Sequence, residues 1–233
     1  MATAKTHPDN DPFGGENQTG ENFWAYQCSS SGCGLRFPAP EMEGLKCPVC
    51  HSPVIKAELW QSSTSDRIYR TESTTHMVAV LDNIRSAYNA GSILRTSDGA
   101  GISHGYLCGI TPTPMHPRLA KTALTAEIHT SWSYHSNCVE LVCQLKNEGY
   151  TIFGLETSPG AVDLTIETSF PDRDYALVVG NEVCGIDPAV QVLCDRMYLL
   201  PMTGIKKSLN VSVSFGIAAY ILNRHRISEL PVK

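Results

Sequence analysis

From residue 77 onward the chain changes repeatedly between two kinds of hydrophobic pattern. Met77-Val-Ala-Val-Leu81 is almost wholly apolar, as a strand covered on both faces must be. The segment from about Asn89 to Gly99 reads as a helix, and His104-Gly-Tyr-Leu-Cys-Gly109 as a second strand. Cys138, Leu141, Val142 and Leu145 recur at i, i+3, i+4 and i+7, which predicts an amphipathic helix over 137–148 closed by Gly149. Thr151–Leu155 and Tyr175–Val179 are again apolar strands. Asp187-Pro188 opens a helix, with proline at a tolerated early position, and Arg196–Leu200 reads as the last strand. Val211, Phe215, Ala218 and Leu222 share one face of a final helix. Strands alternating with helices predict an α/β fold, a mostly parallel sheet with helices on both faces.

Upstream the pattern is different. Residues 1–21 carry almost no large apolar side chains and are expected to form a disordered tail. Residues 22–56 hold Cys28, Cys33, Cys47 and Cys50, and residues 57–74 are polar and aperiodic, as a linker is. The principal domain is then 75–233. Cys28-x4-Cys33 and Cys47-x2-Cys50 have the spacing of two zinc knuckles, from which four thiolates can complete a tetrahedron with no open position, hence a structural Zn²⁺ site. Trp24, Tyr26, Phe37 and Pro38 supply a small apolar shell, and so small a module needs the metal's binding energy to fold. Free or disulfide-linked cysteines are the other reading. The module resembles a zinc ribbon.

Charge alters this picture only locally. The net charge is −5. Residues 1–66 hold 4 Lys+Arg against 8 Asp+Glu, and the remainder 14 against 15, so the principal domain is near neutral. Its basic residues cluster at Arg67/Arg70, Arg118/Lys121, Lys206/Lys207 and Arg224/Arg226, which permits a local phosphate-binding face. No apolar stretch reaches bilayer-spanning length, so no membrane partner is expected. The start of the chain lacks the features of a secretory signal or transit peptide, which makes the cytoplasm the expected location.

Ligands of parallel sheets bind beyond the carboxyl ends of the strands, where three loops stand out. The first, after Leu81, contains Asn89, Gly91 and, one turn further, Arg95; helix-start amides there could face an anion such as an RNA phosphate. The second runs Gly180-Asn-Glu-Val-Cys-Gly185, where Gly180 admits a ligand close to the backbone. The third follows Leu200 with Pro201-Met202, the pair Lys206-Lys207, and Ser208-Leu-Asn210 opening a helix. Each alone also fits an ordinary turn or cap.

In this order and at these separations the three loops resemble the three motifs of the SpoU–TrmH branch of SPOUT methyltransferases. The first loop matches Asn-x-Gly-x-x-x-Arg through Asn89, Gly91 and Arg95. The second matches Gly-Asn-Glu-x-x-Gly through Gly180, Asn181, Glu182 and Gly185. The third matches Pro-Met…Ser-Leu-Asn through Pro201, Met202, Ser208, Leu209 and Asn210. Lys121-Thr-Ala-Leu-Thr-Ala-Glu127 also resembles a family segment, with Thr125 where glycine is usual; the similarity runs from about 76 to 226. The resemblance implies a C-terminal trefoil knot, S-adenosylmethionine as cofactor, transfer of its methyl to a ribose 2′-hydroxyl of RNA (tRNA before rRNA), and a homodimer with active sites built across its interface.

The resemblance also implies the site. Arg95, Asn89, Glu182, Ser208 and Asn210 would be catalytic. Leu155, Glu156, Thr157, Gly180, Leu200, Met202, Ser208 and Leu209 would hold the cofactor. Arg95 could activate the hydroxyl as a base, or stay charged, bind the adjacent phosphate and stabilise the developing alkoxide; a guanidinium pKa above about 12 favours the second. Two competitors are a catalytically inactive RNA-binding protein that keeps the SPOUT fold, and a methyltransferase acting on a base. The zinc module could grip RNA or mediate protein contacts.

Overall fold

The structure, a computed structural model, describes residues 23–60, 77–116, 119, 130–170 and 173–224. The predicted tail 1–21, most of the linker and Lys121–Glu127 lie outside the described residues. So do Arg67, Arg70, Arg118 and Arg226. The chain divides into two units, Met1–Ile68 and Tyr69–Lys233.

In the first unit β1 (Phe23–Cys28) pairs antiparallel with both β2 (Arg36–Pro40) and β3 (Val54–Trp60), so β1 is central. β3 runs past residue 56, and the first four residues expected in the linker therefore belong to this sheet. Tyr26, Phe37 and Ala39 form its core, with Trp24, Leu35, Leu45 and Val54 packed on them. Lys56 Nζ lies 3.7 Å from the Trp24 ring centroid, a cation–π contact. Cys28 ends β1, Cys33 lies in the turn before β2, and Cys47 and Cys50 lie in the turn before β3. Gly34 and His51 both take left-handed backbone (φ 60 and 58), which bends each knuckle back on itself.

The second unit is one sheet in which every strand pair is parallel. Its strands are β4 (Met77–Asp82), β5 (His104–Cys108), β6 (Ser131–His135), β7 (Thr151–Leu155), β8 (Val162–Asp163), β9 (Tyr175–Val179) and β10 (Arg196–Leu199). The order is β6-β5-β4-β9-β7-β10-β8. The helices are α1 (Ala87–Gly99), α2 (Cys138–Asn147), α3 (Pro188–Leu193) and α4 (Val211–Leu222). The strands and helices expected from the pattern are present within one or two residues at their ends. β6 and β8 were not expected.

Strand alternation divides the core into two layers. Met77, Ala79 and Leu81 of β4 face one layer with Ile93 and Leu94 of α1 and Phe215, Ala218, Ala219 and Leu222 of α4. Val78 and Val80 face the other, with Leu141, Val142 and Leu145 of α2 and Val190 of α3. The helices therefore cover both faces, as predicted. α2 is capped by Asn137, whose side chain accepts from Val139 N and Glu140 N, and Gly149 follows it at φ 94. Because β4 and β9 are adjacent and in register (Leu81 opposite Val179), the first two motif loops leave the sheet side by side. β10, on the far side of β7, delivers the third.

Candidate active site

The four thiols of the first unit lie with every sulfur within 4.8 Å of the others. Cys28 Sγ is 3.4 Å from Cys50 Sγ, and Cys33 Sγ is 3.7 Å from Cys47 Sγ. A tetrahedral zinc with Zn–S near 2.3 Å sets its sulfurs about 3.8 Å apart, so the cluster is compatible with a structural ion. The protein is expected to carry one zinc per chain. A chelator under reducing conditions, or Cys47→Ser, should collapse the amide dispersion of residues 23–60 in NMR spectra while leaving that of 77–224 unchanged.

In the second unit the second and third motif loops, with the turn after β7, enclose one cavity of about 270 Å³, and no residue of the first motif lines it. All eight residues expected to hold the cofactor line it: Leu155, Glu156, Thr157, Gly180, Leu200, Met202, Ser208 and Leu209. Glu182 and Asn210 line it as well. Asn181 and Gly185, quoted in the second motif but given no role, also belong to its wall, as does Val211 at the start of α4.

Hydrogen bonds join the catalytic candidates across the loops. Asn89 Nδ2 donates to Glu182 Oε1 at 2.8 Å, and Asn210 Nδ2 donates to Asn89 Oδ1 at 3.1 Å. Asn210 Oδ1 caps α4 by accepting from Ser212 N at 2.9 Å. Both ends of the Asn89 amide are therefore engaged, which fixes its orientation. Glu182 also accepts from Arg85 N (2.8 Å) and Ser86 N (3.0 Å). The helix starts at Ala87 with Ser86 as its cap, two residues before Asn89. The amides just ahead of it are thus taken by the protein's own carboxylate, so they are not free for an external phosphate.

Burial alone would raise the Glu182 pKa. Hydrogen bonds from the Arg85 amide, the Asn89 side chain, its own amide and the Ser86 amide outweigh this and hold the carboxyl below the ordinary range. A folded pKa below the unfolded one means that this brace is complete above about pH 4.3 and is lost as pH falls through the lower folded value. The side-chain amide resonances of Asn89 should therefore stay constant from about pH 8 to 5 and move only below about 4.

Gly180 lines the cavity, and it and Gly185 also serve the loop's own closure. A Cβ on Gly180 would lie 2.2 Å from both Gly185 C and Ile186 N, so glycine is needed for the loop to close on itself. Gly185 adopts φ 75, and a Cβ there would lie 2.3 Å from Glu156 Oε2. Glu156 spans the gap between two loops by accepting from Thr157 N (3.0 Å) and Ile186 N (3.3 Å).

Arg95 stands apart from this assembly. It is exposed on α1, does not line the cavity, and makes no hydrogen bond or ion pair among the described residues. Its face of the helix also carries exposed Tyr88, at i−7. α4 packs beside α1 through Tyr220 Oη, which donates to Gly99 O at 3.2 Å, and presents Val213, Ile217 and Tyr220 outward. Arg95 therefore shares a helical surface with an exposed apolar stripe. Lys206 and Lys207 are exposed in the loop ahead of Ser208.

A family model described as the SpoU rRNA Methylase family matches residues 76–220. The chain is 29% identical over 160 residues to a tRNA (guanosine(18)-2'-O)-methyltransferase of Aquifex aeolicus (strain VF5), covering 64% of this chain and 70% of that protein. The solved A. aeolicus TrmH/SpoU tRNA modifying enzyme superposes with a TM-score of 0.59 at 26% identity, over 68% of this chain and 79% of that one. An AdoMet-bound rRNA methyltransferase from Sinorhizobium meliloti gives a TM-score of 0.60 at 23% identity, a likeness of fold. That match covers 64% of this chain and only 56% of the Sinorhizobium chain. With the second and third motif loops lining one cavity, the first hydrogen-bonded to both through Asn89, and the family model spanning most of the second unit, the chain belongs to the SpoU rRNA methylase family.

Proposed function

We propose that this protein is an S-adenosylmethionine-dependent methyltransferase that methylates a ribose 2′-hydroxyl of RNA, tRNA in preference to rRNA, and acts in the cytoplasm as a homodimer. One observation carries the reading: Asn89, Glu182 and Asn210, from three loops far apart in sequence, are hydrogen-bonded together at the cavity that the expected cofactor residues line. The tRNA preference rests on the Aquifex relative's name. Among the described residues no helix is long and apolar enough to cross a membrane.

Bound S-adenosylmethionine supplies an activated methyl and leaves as a neutral thioether. The protein's part is to position the acceptor and stabilise charge. Backbone at Leu155, Leu200 and Leu209 walls the cofactor, and Glu156 and Glu182 brace the loops around it. Asn89, locked between Glu182 and Asn210, keeps one amide proton for the ribose-phosphate. Arg95 stays protonated, holds the phosphate beside the acceptor and stabilises the oxyanion as the hydroxyl proton departs to solvent.

Arg95 reaches this reaction from a second copy. Tyr88, Val213, Ile217 and Tyr220 form an exposed apolar stripe beside the cavity rim at Val211 and Ser214. A twofold pairing of this surface covers the stripe in both copies and sets each Arg95 against the partner's cavity. A knotted C-terminal passage belongs to the same proposal. It is supported by the path of the chain, since β10 lies beyond β7 and the following α4 returns to pack on α1.

The test is incubation of the protein with radiolabelled S-adenosylmethionine and bulk RNA, followed by nucleoside analysis. Label in 2′-O-methylnucleosides is expected. Label in bases points to the base-modifying alternative, and no transfer with RNA binding intact to the inactive scaffold.

A further inference from the structure

Asp82 is the last residue of β4. It is 1% exposed, does not line the cavity, and has no cationic side chain bonded to it among the described residues. A carboxylate so buried is costly unless hydrogen bonds satisfy it. Its Oδ2 accepts from Asp187 N at 2.8 Å, a bond spanning 105 residues. Its Oδ1 accepts from Asn83 Nδ2 at 2.9 Å. Asn83, with left-handed backbone (φ 57), extends the connection: its carbonyl accepts from Asn181 Nδ2 at 2.7 Å, and its Oδ1 from Ile110 N at 3.2 Å.

The second motif loop is thus fastened to the first at three points. Asn181, at its start, bonds to the Asn83 carbonyl. Glu182, next along, bonds to Arg85, Ser86 and Asn89. Asp187, at its far end, bonds to Asp82. The middle of the loop leaves no slack, because Gly180 and Gly185 are already closer than a Cβ would permit. Movement at Asp187 must shift Ile186 and Gly185, and with them the cavity wall and the bond from Ile186 N to Glu156.

We propose that Asp82 is a positioning residue for cofactor binding: its buried carboxylate, oriented by Asn83, anchors the far end of the 180–187 loop and so sets the shape of the cofactor cavity. This rests on the reading of that cavity as the S-adenosylmethionine site. Asp82 touches no reacting atom. Its effect falls on cofactor affinity, because Glu182 keeps its own bonds to Arg85, Ser86 and Asn89 of the first loop.

The carboxylate–amide pair permits a swap. In Asp82→Asn, the residue-82 amide oxygen can still accept from Asp187 N, but its NH₂ then meets the Asn83 NH₂, donor against donor. Adding Asn83→Asp restores a donor–acceptor pair and still leaves an acceptor for Ile110 N. Aspartate also tolerates the left-handed backbone at 83.

The test is calorimetric titration of S-adenosylmethionine into full-length wild type, Asp82→Asn and Asp82→Asn/Asn83→Asp, with KM and kcat for methyl transfer measured alongside. Asp82→Asn should weaken affinity about tenfold and raise the cofactor KM equally, with kcat within about threefold of wild type. The double variant should recover most of the affinity. Equal affinity in Asp82→Asn and wild type would overturn the inference. So would a double variant no better than the single one, including the case where neither folds. If Asp82→Asn alone fails to fold, a folded double variant that binds cofactor upholds the pairing. A wild type that binds no S-adenosylmethionine refutes the cavity assignment instead, and is read before any variant.

Discussion

Arg95→Lys is expected to lower kcat by about 100-fold or more while leaving S-adenosylmethionine affinity unchanged. Lysine keeps the charge and loses the planar fork, so it cannot address a phosphate and a developing oxyanion together. The cofactor cavity is lined without any part of Arg95, so its affinity has no reason to change. A titration of cofactor and a single-turnover rate on the same preparation check both halves. If Arg95→Lys turned over normally, neither the base reading nor the charged-stabiliser reading would survive.

Glu182→Gln is expected to act differently, lowering kcat/KM on the order of 50-fold. The carboxylate accepts from two backbone amides and from Asn89 Nδ2, all donors. A glutamine can offer only one oxygen, and its NH₂ must face one of those donors. Solvent at the exposed carboxylate softens the loss. Freed from Glu182, Asn89 no longer presents a fixed amide, and Asn210 loses an oriented partner. The substitution should therefore affect cofactor binding and turnover together, in contrast to Arg95→Lys. Paired measurements of cofactor Kd and kcat distinguish the two patterns.

How much of this was legible in the sequence depended on the range of the signal. The buried strands announced themselves because Met77–Leu81 and Tyr175–Val179 are apolar on both faces, and the two-layer core bears this out. β6 escaped because Ser131-Trp-Ser-Tyr-His135 is an edge strand, half exposed, with polar side chains hydrogen-bonded across to His104. The strands of the first unit were hidden by Pro38, Pro40 and Pro53, which read as breaks but fall in an edge strand or just before one. The wall of the cavity was legible through the family resemblance, since every residue it named for the cofactor lines that one cavity.

The rest of the site was less accessible. Asp82 carried no signal in the sequence, because its partner amide at Asp187 becomes visible only once β4 and β9 lie side by side. Arg95 was expected to meet the other loops in an active site built across a homodimer interface. Within one chain it does not: it is exposed, lines no part of the cavity and has no bond to either loop. A sequence does not reveal which surface a second copy will cover. The exposed stripe of Tyr88, Val213, Ile217 and Tyr220 supplies that missing argument.

The most direct test of a site shared between two copies is a mixing experiment. Arg95→Lys and Glu182→Gln proteins, each nearly inactive, are dissociated together in equal amounts and reassociated. A heterodimer then holds one intact site, made from the cavity of the first variant and the Arg95 of the second. The account predicts recovery of about a quarter of wild-type methyl transfer, because half the dimers are mixed and each has one working site of two. A mixture that exchanges subunits and regains no activity beyond the sum of its parts would contradict it.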